Sequence, residues 1–178
     1  MAVDRRVLRT RVALYDALVA LILERPYAAI TVADILERAD IGRSTFYAHF
    51  TSKDDLLARS LDRLADILRR AADAMPPGAD GWSLVLFTHV GEYGDVYLAL
   101  SNVAAGDILR AAVRGVVADF ARGRIKPRQG LPADLAVQHV VATFMTVTTW
   151  WLERHRNLPP AETDRLFHEL LAAGPALS

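Results

Sequence analysis

The chain has no cysteine. Structural disulfides, thiolate zinc sites and cysteine nucleophiles are excluded by that absence alone. An excess of either charge is also missing: 21 Lys and Arg stand against 21 Asp and Glu. Affinity for a polyanion would therefore have to come from where cations sit, not from their sum. There is no Gly-rich phosphate loop, no G-x-S-x-G elbow and no H-x-E pair, so enzyme chemistry has no residues to rest on. Four histidines, His89, His139, His155 and His168, stand at no recognisable i, i+4 ligand spacing with another His or carboxylate. No metal and no cofactor are expected. Strand alternation, internal repeats and low-complexity tracts are likewise missing, which leaves an all-α fold. At the N-terminus no basic start leads into an apolar signal segment, because Arg5, Arg6, Arg9 and Arg11 alternate with apolar residues at helical spacing; a cytoplasmic protein is expected.

What the chain does have is concentrated between Thr31 and Leu57. Thr31, with Asp34 three residues on, has the spacing of a capping box, and Val32, Ile35 and Leu36 supply a buried stripe for a short helix. Asp40-Ile41-Gly42 then allows a sharp reversal, and a second helix starts at Arg43. Phe46 and Phe50, four apart, face the core with Ile41. That leaves Arg43, Ser44, Thr45, Tyr47 and His49 on the outer surface. Two short helices at a steep crossing form a helix-turn-helix, and Ser52 with Asp55 caps a longer helix behind it. Arg43 suits bidentate contact with a guanine edge, and Thr45 and Tyr47 suit phosphates and thymine methyls. His49 and Lys53 suit phosphates, as does Thr31 at its helix N-terminus. Residues 1–53 hold eight Lys or Arg against six Asp or Glu, a local net of +2.

These residues resemble a family. Ile30-Thr31-Val32, then Arg43-Ser44-Thr45-Phe46-Tyr47, His49-Phe50, Lys53 and Leu56-Leu57, are similar to the DNA-binding domain of TetR-family one-component transcriptional regulators over about residues 7–60. Thr-Phe-Tyr-x-His-Phe-x-x-Lys is the specific part of the match. Two positions depart from the pattern: Pro26 precedes Tyr27 where the family commonly has Gly, and Asp40 replaces the Gly of the turn. The resemblance implies that Thr45, Tyr47, His49 and Lys53 touch DNA and that Arg43 varies with the operator.

Elsewhere the periodicity predicts helices over Val7–Glu24, with Leu8, Val12, Tyr15, Val19 and Ile22 buried, and from Ser52 through Leu56, Leu61, Leu64, Leu68 and Ala72. Further helices are expected near Asp80–Glu92, Asp95–Ser101, Gly106–Arg124, Ala133–Arg156 and Pro160–Ala173. Met75-Pro76-Pro77-Gly78 is the best candidate boundary, although the domains divide functionally as 1–52, for DNA binding, and 53–178, for effector binding and dimerisation, with the helix over 53–75 connecting them. Leu135–Leu152 is an 18-residue stretch without a formal charge. Its six hydrogen-bonding side chains argue against a membrane span. Cover by a second subunit is expected instead, with Leu166, Phe167, Leu170 and Leu171 of the last helix completing a four-helix bundle across a twofold axis. The resemblance implies dimerisation through the same two helices, and an effector site in this half. Tyr97, Phe120, Phe144, Thr148 and Trp151 are its expected lining: aromatic walls with sparse hydroxyls. Adjacent Trp150 and Trp151 lie about 100° apart around their helix, so Trp151 is expected inside and Trp150 at the dimer seam or against a neighbouring helix.

The combined expectation is a homodimeric, ligand-released regulator, a repressor binding palindromic double-stranded operator DNA and sensing a largely apolar small molecule. A constitutive DNA-binding protein without a ligand, and a helical ligand-binding protein with a vestigial helix-turn-helix, are the alternatives.

Overall fold

A computed structural model describes residues 5–74, 81–101, 105–124 and 130–173. The predicted boundary at Met75–Gly78 lies outside them. Among the described residues there is no strand, and the helices are α1 (Arg5–Glu24), α2 (Val32–Ala39), α3 (Arg43–Tyr47), α4 (Lys53–Asp73), α5 (Trp82–Glu92), α6 (Gly94–Ser101), α7 (Ala105–Arg124), α8 (Ala133–Arg154) and α9 (Pro160–Ala173), with a 3-10 turn at Tyr27–Ala29. Contacts gather into two compact units: Met1–Leu64 with Asp95–Arg110, and Ala65–Gly94 with Ala111–Ser178.

In the first unit α1 packs on α2, but of the expected stripe only Ile22 is buried. Leu14, Ala17, Leu18, Leu21 and Ile22 are buried, while Leu8 is exposed. Apolar residues run around more than half of this helix, and the short α2 covers only one sector of it. The leucines at 14, 18 and 21 fill that sector with more apolar volume than Val12 and Val19 would. Ile30, Ile35, Phe46, Phe50, Leu56 and Leu57 complete the core. On α4 the buried face includes Leu57 and Ala65, whereas Leu61 and Leu64 are only half-buried.

The second unit is organised by aromatics. Phe87 of α5 stacks on Phe144 of α8 with ring centroids 4.6 Å apart, and Phe167 of α9 stands edge-on to both, at 5.7 and 5.8 Å. Such offset and edge-to-face pairs add to the burial of each ring. Gly91 lets α5 close on this cluster, since a Cβ there would lie 3.0 Å from the Trp151 ring. Phe167 is wholly buried within its own chain. The expectation that it reaches a second subunit is thus corrected: its ring completes the α5–α8–α9 contact, and Leu170, 39% exposed, is the leucine of α9 that is most clearly exposed. No helix among the described residues is long and apolar enough to cross a membrane.

Candidate nucleic-acid interface and effector core

Three local devices set the outward face of α3. The first is the start of α2. Thr31 Oγ1 accepts from the Asp34 backbone N–H at 3.2 Å, and the Asp34 carboxylate takes the Thr31 N–H and hydroxyl, each at 2.7 Å. This is the predicted capping box, closed. The Thr31 N–H, followed by its hydroxyl, holds the Asp34 carboxyl below the usual carboxylate range, as donors to a carboxylate do. The N–H and the hydroxyl of Thr31 are therefore already engaged within the chain.

The second device is the turn. Asp40 adopts φ 52° and ψ 47°, the left-handed conformation. The Ile41 N–H reaches back to Leu36 O at 3.1 Å and the Asp40 N–H to Glu37 O at 3.3 Å. These two bonds make a Schellman end, with Asp where glycine is most common. Gly42 has an ordinary extended backbone, so Asp40 alone makes the reversal.

The third is anchorage. A five-residue helix cannot persist by itself. Phe46 and Phe50 fix it, both essentially inaccessible and 5.6 Å apart by centroid, and Tyr15 of α1 meets Phe50 edge-on at 6.0 Å. Arg43, Ser44, Thr45 and Tyr47 are left exposed, Tyr47 by 53%. Arg43, Ser44 and Thr45 make no side-chain hydrogen bond or ion pair among the described residues. His49 is half-buried against Phe50. Lys53 departs from this outward group: its ammonium donates to Tyr27 O at 2.8 Å and Ile30 O at 2.7 Å. Sequence reasoning missed this contact, whose partners lie 26 and 23 residues away.

The expected effector residues separate. Phe144, Thr148 and Trp151 share one buried face of α8, with Trp151 donating from Nε1 to Leu158 O at 3.1 Å. Trp150, on the opposite side, stacks on His155 at 4.0 Å. Phe120 stacks on Trp82 at 5.5 Å. Tyr97 belongs to the first unit, and burial pushes its phenol pKa up. The Thr148 hydroxyl is buried with no hydrogen-bond partner. None of the five residues lines the cavity of about 520 Å³ between α7 and α8, whose walls include Arg114, Gly115, Arg122 and Gln138.

The histidines need one correction. Asp164 does stand four residues before His168, with Asp164 Oδ1 3.7 Å from Nε2, and His168 Nε2 also shares a hydrogen bond with buried Ser83 Oγ at 3.0 Å. No third acidic or imidazole ligand joins them, and no cluster that could hold a metal occurs among the described residues.

Residues 14–59 match the family described as bacterial regulatory proteins, tetR family. Over 77 residues the chain is 40% identical to the uncharacterized HTH-type transcriptional regulator YxbF of Bacillus subtilis (strain 168); the match covers 42% of this chain and 20% of that relative. The chain thus spans about a fifth of that relative's length. A TetR transcriptional regulator from Streptococcus agalactiae 2603V shares the fold at 25% identity with a TM-score of 0.67, covering 94% of this chain and 96% of that one. The regulator FadR from Bacillus subtilis, solved in complex with stearoyl-CoA, does so at 21% identity and a TM-score of 0.62, covering 93% and 99%.

Proposed function

We propose, for a chain that belongs to the TetR family of bacterial transcriptional regulators, that it is a homodimeric, cytoplasmic repressor binding a palindromic operator and released by a small molecule. The observation that carries this is α3 itself. A five-residue helix is pinned by Phe46 and Phe50 while Arg43, Ser44, Thr45 and Tyr47 point outward. Arg43 reads a base edge, and Ser44, Thr45, Tyr47 and His49 meet the backbone and thymine methyls. The DNA-binding domain is residues 1–52. Residues 53–178 form the effector and dimer domain, with the first helix, over 53–75, connecting the two.

The dimer forms through the uncharged outer face of α8, where Leu135, Gln138, His139, Thr146, Thr149 and Trp150 are exposed, together with Leu170 of α9. An exposed stripe of that length without a charge is what a second copy would cover. The effector is largely apolar and lies against Phe144, Thr148 and Trp151, with Phe120 of the same unit contributing in the bound state. The unpartnered Thr148 hydroxyl supports this, because a buried polar group without a partner is destabilising until something satisfies it. That a related fold holds stearoyl-CoA is consistent with a long apolar ligand. Release needs only a differential affinity for two states: a coupling of about 3 kcal/mol, roughly 150-fold, switches a promoter.

Capture of genomic fragments by the purified protein tests the reading, followed by titration of the captured duplex in the ultracentrifuge. Two chains per inverted repeat are expected. Binding without sequence preference, or one chain per site, would overturn it.

A further inference from the structure

The first turn of α4 grips one residue at both ends. Lys53 Nζ donates to Tyr27 O and Ile30 O, at 2.8 and 2.7 Å, and lies 4.5 Å from the centroid of the Tyr27 ring. At the far end of that ring the Tyr27 hydroxyl donates to Asp54 Oδ1 at 2.6 Å. Tyr27 is only 4% exposed, so its ring is clamped between the fold and two consecutive residues of α4. Two of the three ammonium hydrogens are directed to carbonyls, and the ring face attracts the same charge. Tyr27 and Ile30 flank the turn that leads into Thr31 and α2. The contact therefore closes a loop of 26 residues that contains all of α2, the Asp40 turn and α3.

We propose that Lys53 is a positioning residue of the DNA-binding domain: it ties the start of α4 to the segment before α2, and so fixes the tilt at which α3 is presented. This replaces the expected role of Lys53 as a phosphate contact. It also gives Tyr27 and Asp54 a part in recognition although neither belongs to the exposed face of α3. The inference rests on the DNA-binding reading for its consequence, but not for its geometry.

The full-length protein, Lys53→Met and Tyr27→Phe are compared in two measurements. In hydrogen exchange without DNA, the Ile30 and Leu56 amides should exchange at least about 10-fold faster in both variants, because a local clip has been opened. In anisotropy with a genomic duplex that the protein captures, both variants should bind about 10-fold more weakly, with the slope of log K against log salt within roughly 0.5 of wild type. A phosphate contact predicts otherwise: two lysines per dimer, at about 0.9 each, would make the Lys53→Met slope shallower by about 1.8 and leave Tyr27→Phe unchanged. That result, or unaltered exchange in the variants, overturns the proposal. Should Lys53→Met fail to fold, Tyr27→Phe, which keeps ring and carbonyl, carries both measurements. If even wild type binds no duplex, the functional reading fails while the exchange arm still decides whether the clip exists.

Discussion

Replacing Thr148 by valine should stabilise this protein. The Thr148 side chain is 7% exposed and its hydroxyl has no hydrogen-bond partner, on a face that also carries Phe144 and Trp151. Valine has nearly the same shape and the same β-branching, so neither a cavity nor a loss of helix propensity enters. What remains is removal of an unsatisfied buried donor, worth about 1 to 2 kcal/mol. For a chain of this size that corresponds to roughly 2 to 8 °C in melting temperature. Urea and thermal unfolding of Thr148→Val measure it, with Thr163→Val as the control. Thr163 is also fully buried, but its hydroxyl reaches Pro159 O, so its removal should be neutral or cost up to about 1 kcal/mol. The same Thr148→Val protein should respond to its effector about 10-fold less, if the hydroxyl receives the effector's polar group. A Thr148→Val protein less stable than wild type by 1 kcal/mol would refute the reasoning, since the hydroxyl would then have a partner.

Asp40→Gly should raise stability by about 0.5 to 1 kcal/mol, because glycine adopts the left-handed turn without the Cβ penalty; equilibrium unfolding checks it, and a loss would mean that the Asp40 carboxylate stabilises the turn. Arg43→Ala should relax preference at one base pair of each half-site and cost about 1 to 3 kcal/mol on the right operator, read by competition with single-base variants. His89 has its pKa lowered to about 4 by burial. A base whose folded pKa is depressed contributes stability that is complete above the unfolded value and lost as pH falls from about 6.5 toward 4; His89→Gln should flatten unfolding stability over that window.

The parts of the interface legible in sequence were those made by neighbours. Thr31 and Asp34 are three apart, Phe46 and Phe50 four apart, and Asp40 follows directly on the helix it ends, so local stereochemistry was enough to place them. The register of α1 was not legible, because a helix apolar over more than half its circumference offers two stripes and only the partner decides between them. Phe167 likewise reads from sequence as a residue for a second subunit, because the rings that enclose it, on α5 and α8, come from other parts of the chain. The clamp on Tyr27 joins residues 23 to 27 positions apart. Lysine beside a helix-turn-helix reads as a phosphate contact when its distant carbonyl partners are unseen.

The central claim is that α3 reads DNA as one of a symmetric pair. Selection from a pool of randomised duplexes tests it most directly, with wild type run beside Arg43→Ala/Thr45→Ala/Tyr47→Ala, whose altered residues all lie on the exposed face. Wild type should enrich an inverted repeat whose half-site centres lie about 34 Å, one turn of duplex, or a multiple of it apart, and the triple variant should enrich none while remaining folded. Enrichment of the same repeat by both proteins, or of no inverted repeat by wild type, would contradict the account.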